Sequence, residues 1–439
     1  MGFSCEGSNS GADLAPRPAM MAERPELKRN GTGFASGKPW LCALFVLACA
    51  VPAQAAETGF VAVPVGPEIM IFDPGRGDAC DGHDVPDMPL RAFRGVDGRV
   101  HAFALHYENR RLSGASILTL RPECAVVYRG AGNPDPAAHD DRAWLAATWT
   151  GDGRVIHGLI HHEFQAHRHP GRCRFTEYLP CWWNSILPAL STDGGRRFRK
   201  GAVPVAATPF GQEQDQGRHR GFFNPSNIIG RDGHLFALIA TTGWDAAAGR
   251  GVAQPAGACL FRTRRPDADA GPLETGVWAA FDGAGFGARF PGPDAPGGDA
   301  GGGACRVLPP FPAPVGAIVR HRESGAYLAI YQAAAGMPAL PGERHPDSGF
   351  YLAASRDLLV WSAPVLVLET KSYYDSPCGA AVLRNYPVLI DEAAESRNFE
   401  DIGDAALLVF AETRVSGCIP TADRRLLARR IRISTFLRQ

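Results

Sequence analysis

A chain of 439 residues is long enough for one large domain or two ordinary ones, and either would bury a sizeable core. Its 45 basic and 45 acidic residues cancel to a formal charge of zero, so nothing in the charge points to nucleic acid or an anionic membrane as partner. With 51 glycines and 36 prolines the chain favours many turns and disfavours long helices.

Residues 38–55 read as a secretory signal. Lys38 supplies the charge, Trp40 to Val51 a short apolar run, and Ala53-Gln54-Ala55 a small-residue cleavage pattern. The run is too short to cross a bilayer as a helix, so no membrane span is expected. Residues 1–37 are polar, Gly-rich and without period; they read as a disordered extension or an overlong start, with Met20 or Met21 as alternative starts. The mature chain, 56–439, is expected to be a single secreted or periplasmic domain. Eight cysteines follow the signal: Cys80, Cys124, Cys173, Cys181, Cys259, Cys305, Cys378 and Cys418. An even number in an exported chain predicts disulfides, with Cys173 and Cys181, which flank one short loop, as the first pair.

Five segments share one grammar: a turn with Gly beside Asp or Ser, a β-rich apolar run, then polar or aromatic residues. They are Asp97-Gly98 into Val100 to His106, Asp152-Gly153 into Val155 to Glu163, Asp232-Gly233 into Leu235 to Thr242, Ser324-Gly325 into Tyr327 to Gln332, and Gly403-Asp404 into Ala405 to Thr413. A loose repeat of strand-rich units predicts an all-β fold, a β-propeller with five blades favoured over six. If each run is the innermost strand of its blade, the ends meet at one mouth. That would gather His106 and Glu108, His161 and Glu163, Thr241 and Thr242, Tyr331 and Gln332, and Glu412 and Arg414. The stretch Pro291 to Gly303 holds only Gly, Pro, Asp and Ala, and is expected to be a mobile loop.

Ser191-Thr192-Asp193-Gly194-Gly195-Arg196-Arg197-Phe198 is a hairpin turn in which Ser and Asp cap the backbone, Gly supplies positive φ, and the aromatic plugs the sheet. It resembles the Asp-box of sialidases and related propellers. Ser355-Arg356-Asp357-Leu358-Leu359-Val360-Trp361 is a shorter cousin, similar to turns in five-bladed glycosidases of the arabinanase type. The resemblance implies an exported glycoside hydrolase-like protein that acts on a glycan or oligosaccharide in a central funnel by means of carboxylates. The alternative is a carbohydrate-binding propeller without catalysis. No cofactor or metal is expected from either reading.

The catalytic candidates are Glu163, Asp87, Asp84, Glu412 and Asp375. Strand alternation puts His161 and Glu163 on one face and His162 on the other, which makes Glu163 the best single acid or base; its bland alternative is an ion pair with Arg168. Asp84 and Asp87 lie where the resembled families carry a Phe-Arg-Ile-Pro element or a catalytic aspartate, and either would serve as acid or base. Asp375 follows Tyr373-Tyr374, an alternative tyrosine nucleophile. For substrate binding the candidates are Arg91, with its planar fork, Arg397 as its partner in a cluster, His161, Asn224 in Asn224-Pro225-Ser226-Asn227, and Tyr331. Trp182 and Trp183 offer a sugar-stacking platform.

Overall fold

A computed structural model describes residues 58–266, 277–295 and 302–437. The expected extension and signal lie outside the described residues, as do residues 296–301 of the Gly/Pro loop. Among the described residues there is no α-helix, and no helix is long and apolar enough to cross a membrane.

The strands pair as antiparallel meanders. The first runs Pro86–Arg94, Val100–Leu105, Arg110–Gly114 and Arg121–Val126. The second is Arg142–Trp149, Ile156–Gln165, Trp182–Ser191 and Arg199–Lys200. In the third, Arg220–Phe223 and Ile229–Arg231 both flank His234–Thr241, followed by Gly257–Arg264, Ala279–Phe281 and Phe286–Ala288. The fourth is Val315–His321, Tyr327–Ala333, Gly349–Ser355 and Val365–Glu369. The fifth combines Val382–Ile390, Ala405–Ser416 and Ile419–Leu437 with Thr58–Phe72, so the first described strand of the chain completes its last sheet.

Apolar clusters lie between neighbouring meanders and continue around a ring. Phe93, Phe103, Ile160 and Leu187 join the first to the second, and Ile186, Phe222, Ile239 and Phe261 the second to the third. Leu260, Phe311, Ile318 and Tyr331 join the third to the fourth, and a final cluster with Leu90, Leu328, Leu408 and Phe410 unites the fourth, fifth and first. The fold is a β-propeller.

The five runs read as innermost strands are in fact the second strands. Burial explains the error: Val100–Leu105 and Tyr327–Ala333 are buried at every position, because each is covered by a meander on either side. A strand covered on both faces reads as one apolar run whether it lies at the axis or one place out. The axis is lined by the first strands, and Arg91 on Pro86–Arg94 marks it. Its guanidinium donates to the carbonyls of Ala146, Pro225 and Gly316, which come from the second, third and fourth meanders. Space there is tight, since a Cβ added to Gly316 would stand 1.7 Å from the Pro387 carbonyl oxygen of the fifth.

Side-chain amides bridge one meander to another where no ladder exists. Asn227 exchanges two hydrogen bonds with Ile318, at 2.8 and 2.7 Å. Asn398 does the same with Thr150, at 2.9 and 2.8 Å. The two Ser-x-Asp turns use one mechanism. Ser191 Oγ accepts from the Gly195 amide at 2.9 Å while Asp193 accepts from Arg196 and Arg197, and Phe198 packs edge-on against Phe103 at 5.6 Å. In the shorter turn Ser355 accepts from Leu358 at 2.9 Å, Asp357 from Leu359 and Val360, and Leu358 takes a φ of 70° where the longer turn has glycine.

Four disulfides are present: Cys80–Cys124, Cys173–Cys181, Cys259–Cys305 and Cys378–Cys418. The expected short-loop pair is among them, and the set fits an oxidising compartment.

Several histidines are buried as neutral rings. His162 accepts from the Asp141 amide at Nε2, so its Nδ1–H donates to Ser185, whose hydroxyl in turn reaches His139 Nδ1. Burial pushes His139 and His157 down to about 4 and His162 well below 6.5. The unfolded chain therefore binds more protons than the native one between pH 6.5 and about 4. Stability is expected to be fully present above pH 6.5 and to fall steadily as pH drops toward 4. Urea midpoints across that range check this, and a flat profile would contradict it.

Candidate active site

First strands begin, and second strands end, at the same face of the propeller, and this convergence builds the site. Asp87 is the second residue of Pro86–Arg94, and His106 follows the end of Val100–Leu105. One Asp87 oxygen is bound by the Arg424 guanidinium, and the other lies 3.3 Å from His106 Nε2. The Tyr386 hydroxyl stands 3.5 Å away.

Glu163 lies two residues before the end of the matching strand of the second meander. Its Oε2 accepts from the Tyr178 hydroxyl at 2.8 Å and from Gln165 Nε2 at 2.9 Å, and its Oε1 is 3.2 Å from His161 Nε2. His161 Nδ1 accepts from the Asn224 backbone amide at 2.9 Å, and its Nε2 lies 3.2 Å from the Glu163 carboxylate and 2.7 Å from the Asn184 side-chain amide. Burial pushes the Glu163 pKa up, but the hydrogen bonds from His161, Gln165 and Tyr178 outweigh it and leave the pKa below 4.5.

Asp87 and Glu163 lie close enough for both to act on the same two phenols. The phenols of Tyr178 and Tyr386 are raised first by burial, and both also feel the negative charge of each carboxylate. Trp144 lies between the two acid–imidazole pairs, edge-on to His106 at 5.4 Å and to His161 at 5.7 Å. Its indole N–H and His106 Nδ1 are buried without a hydrogen-bond partner among the described residues, which is the condition of groups that meet water or a polar ligand.

Backbone strain occurs at the same place. Tyr386 has a φ of 61°, uncommon for a bulky residue and here immediately before Pro387. The Gln332 side chain holds it by accepting from the Tyr386 amide at 2.8 Å. Tyr373 stands beside it, rings 6.2 Å apart, with its hydroxyl bonded to Thr413 at 2.7 Å.

The Cys173–Cys181 loop carries Tyr178 to Glu163. Trp182 follows directly and lies between two rings, Tyr178 at 4.7 Å and His219 at 3.9 Å, so both its faces are covered. Trp183 is in the core, with Nε1 bonded to Thr208 at 2.8 Å. The expected tryptophan platform is therefore replaced by a stack whose free surfaces belong to Tyr178, His219 and Phe223. Tyr178→Phe removes one donor from Glu163 and is expected to raise its pKa, read from the carboxyl ¹³C shift against pH. An unchanged titration would refute the hydrogen bond.

Of the residues singled out by sequence, Asp87, Glu163, His161 and Asn224 come together, and six do not. Arg91 is the axle described above, its fork spent on carbonyls rather than open to substrate. Asp84 is buried against Arg110 at 2.6 Å and caps the Cys80 amide, beside the Cys80–Cys124 bridge. Glu412 shares Arg384 with Glu68 across the sheet of the fifth meander. Asp375 accepts from Ser348 and from the Ser372 amide, tying two meanders. Tyr331 is fully buried, with its hydroxyl 2.8 Å from His345 Nε2. Arg397 donates to the Arg94 and Gly95 carbonyls, at the opposite end of the first strands. Likewise Glu108 pairs with Arg129, and Arg414 with Asp423. The residues missed were Trp144, Tyr178, His219, Tyr386 and Arg424.

A cavity of about 610 Å³ lies elsewhere, lined by Lys200, Val205, Trp278 and Phe290 at the outer part of the second and third meanders. Among the described residues that line it there is no carboxylate, so the acid pair rather than cavity size identifies the candidate site.

No protein-family model matches the chain, and no curated protein matches it in sequence. Solved structures follow a similar course. A protein of unknown function from Dyadobacter fermentans has 11% identity and a TM-score of 0.47, over 86% of this chain and 100% of its own. The α-L-arabinanase of Cellvibrio cellulosa, solved with arabinohexaose, has 11% identity and a TM-score of 0.42, over 79% and 92%. A family 117 glycoside hydrolase of Zobellia galactanivorans has 11% identity and a TM-score of 0.44, over 86% and 90%. These likenesses concern the path of the chain and carry no information about its chemistry.

Proposed function

We propose that this protein is an exported, five-bladed glycoside hydrolase-like propeller that acts on a glycan in the pit between Asp87 and Glu163. The observation that carries the reading is the meeting of two carboxylates from different meanders, each with its own imidazole and phenol, around a buried indole N–H. Glycosidic hydrolysis needs two carboxyl groups flanking one bond. Glu163, with its lowered pKa, is the ionised member and acts as base or nucleophile. Asp87, bound by Arg424 and next to His106, is the second carboxylate of the pair. His219 and Tyr178 present ring surface to the sugar, and Trp144 and His106 offer polar atoms to its hydroxyls. The sialidase-like variant of this reading would need an arginine cluster in the pit; Arg424 is there, whereas Arg91 and Arg397 are committed elsewhere.

A second reading, binding without turnover, has one observation in its favour. Arg424 and His106 on Asp87, and three donors on Glu163, are the surroundings of satisfied acceptors rather than of a poised acid. Calorimetry and product analysis on a panel of neutral and uronic oligosaccharides separate the two. Turnover by the wild type supports hydrolysis, retained binding without turnover supports the second reading, and no binding to any glycan removes both.

A further inference from the structure

At the far end of the propeller from the pit, His321, Glu323 and Asp404 form a tripod that neither the fold nor the candidate site explains. His321 closes the strand Val315–His321 of the fourth meander, and Asp404 directly precedes Ala405–Ser416 of the fifth. His321 Nε2 lies 3.1 Å from a Glu323 oxygen and 3.1 Å from an Asp404 oxygen, and the three ligand atoms are within 4.8 Å of one another. The imidazole side chain is 1% exposed, whereas the carboxylates are 55% and 67% exposed, so a rigid nitrogen donor stands beneath two oxygen donors open to solvent.

Three physical points favour a bound cation over a plain ion pair. Nε2 carries at most one proton and can serve one carboxylate well, yet two are drawn to it. Two ligand atoms about 2.1 Å from one ion stand about 3.0 Å apart at a right angle and about 3.4 Å at the tetrahedral angle, which brackets both nitrogen–oxygen separations. The other ring nitrogen is held by Ser324, with Oγ 3.0 Å and the backbone amide 3.4 Å from Nδ1, and that Oγ itself accepts from the Ala326 amide at 3.2 Å. An outer partner of this kind sets the ring of a metal-ligating histidine.

We infer that His321, Glu323 and Asp404 bind one divalent transition-metal ion that clasps the fourth meander to the fifth where the ring closes. One nitrogen and two carboxylate oxygens suit Zn²⁺ or Mn²⁺; Ca²⁺ takes six to eight oxygens and suits the set poorly. Two carboxylates and a neutral imidazole also balance a charge of two exactly where a lone imidazolium would leave an excess of negative charge. The ion would act on stability, because the His321 ring packs edge-on against Phe60, 5.5 Å away on the strand that completes the fifth meander.

The test is isothermal titration of Zn²⁺, and separately Mn²⁺, into the untagged mature protein after chelation, with thermal unfolding in parallel. One ion per chain and a raised unfolding temperature are expected, and both should be lost in Glu323→Gln/Asp404→Asn. Those side chains are exposed, so the variant should fold, which circular dichroism verifies. Absence of stoichiometric binding would overturn the inference, as would undiminished binding by the double variant. So would a variant stability loss of the same size with chelator as with Zn²⁺, the signature of an ion pair alone.

Discussion

Glu163→Gln and Asp87→Asn are each expected to lower kcat on the preferred glycan by at least about a thousandfold, with binding held within a few-fold. Both substitutions keep the shape of the side chain and remove its charge. Glutamine at 163 still accepts from Tyr178 through its carbonyl, so the wall of the pit stays in place. Asparagine at 87 loses the charge that Arg424 binds, and a modest loss of stability should accompany the loss of activity. A parallel fall in binding and turnover would show that these carboxylates hold the sugar rather than break it.

Arg91→Leu is expected to cost about 3–5 kcal/mol of stability, if the variant folds at all. The substitution leaves the carbonyls of Ala146, Pro225 and Gly316 without donors in a place that is closed to water. Burial lowers the pKa of this guanidinium, and no carboxylate pairs with it among the described residues, so relief from burying a cation offsets part of the loss. Arg91→Lys should recover only part of the stability, because one ammonium cannot follow a planar fork to three meanders. Urea titration measures both, and a change below about 1 kcal/mol for Arg91→Leu would show that the axle is dispensable.

The sequence carried local geometry well and long-range geometry poorly. Alternation along Ile156–Gln165 was enough to put His161 and Glu163 toward the pit and His162, fully buried, into the sheet interior. The Ser-x-Asp turns were legible because their hydrogen bonds close within a few residues. Asp87 was reached only through a loose family resemblance, and Arg424, its closest cation, lies 337 residues away on the last strand. No local pattern connects such a pair; ring closure does. Arg91 was misread because an arginine within an apolar strand invites a functional role, whereas an axis shared by several sheets has carbonyls that need a donor. Tyr386 left one usable sign, an aromatic before proline inside a strand, where an unbroken ladder is excluded. Two of the first strands escaped notice for a related reason: Arg91 and the Asn385-Tyr386-Pro387 step interrupt the apolar runs that made the second strands conspicuous.

The most direct test of the account is a crystal structure of Glu163→Gln with a bound oligosaccharide chosen from the turnover panel. A glycosidic oxygen is expected between Asp87 and residue 163, with one sugar ring against His219 or Tyr178. A glycan seated only in the cavity near Trp278, or at the opposite face beside Arg397, would contradict it.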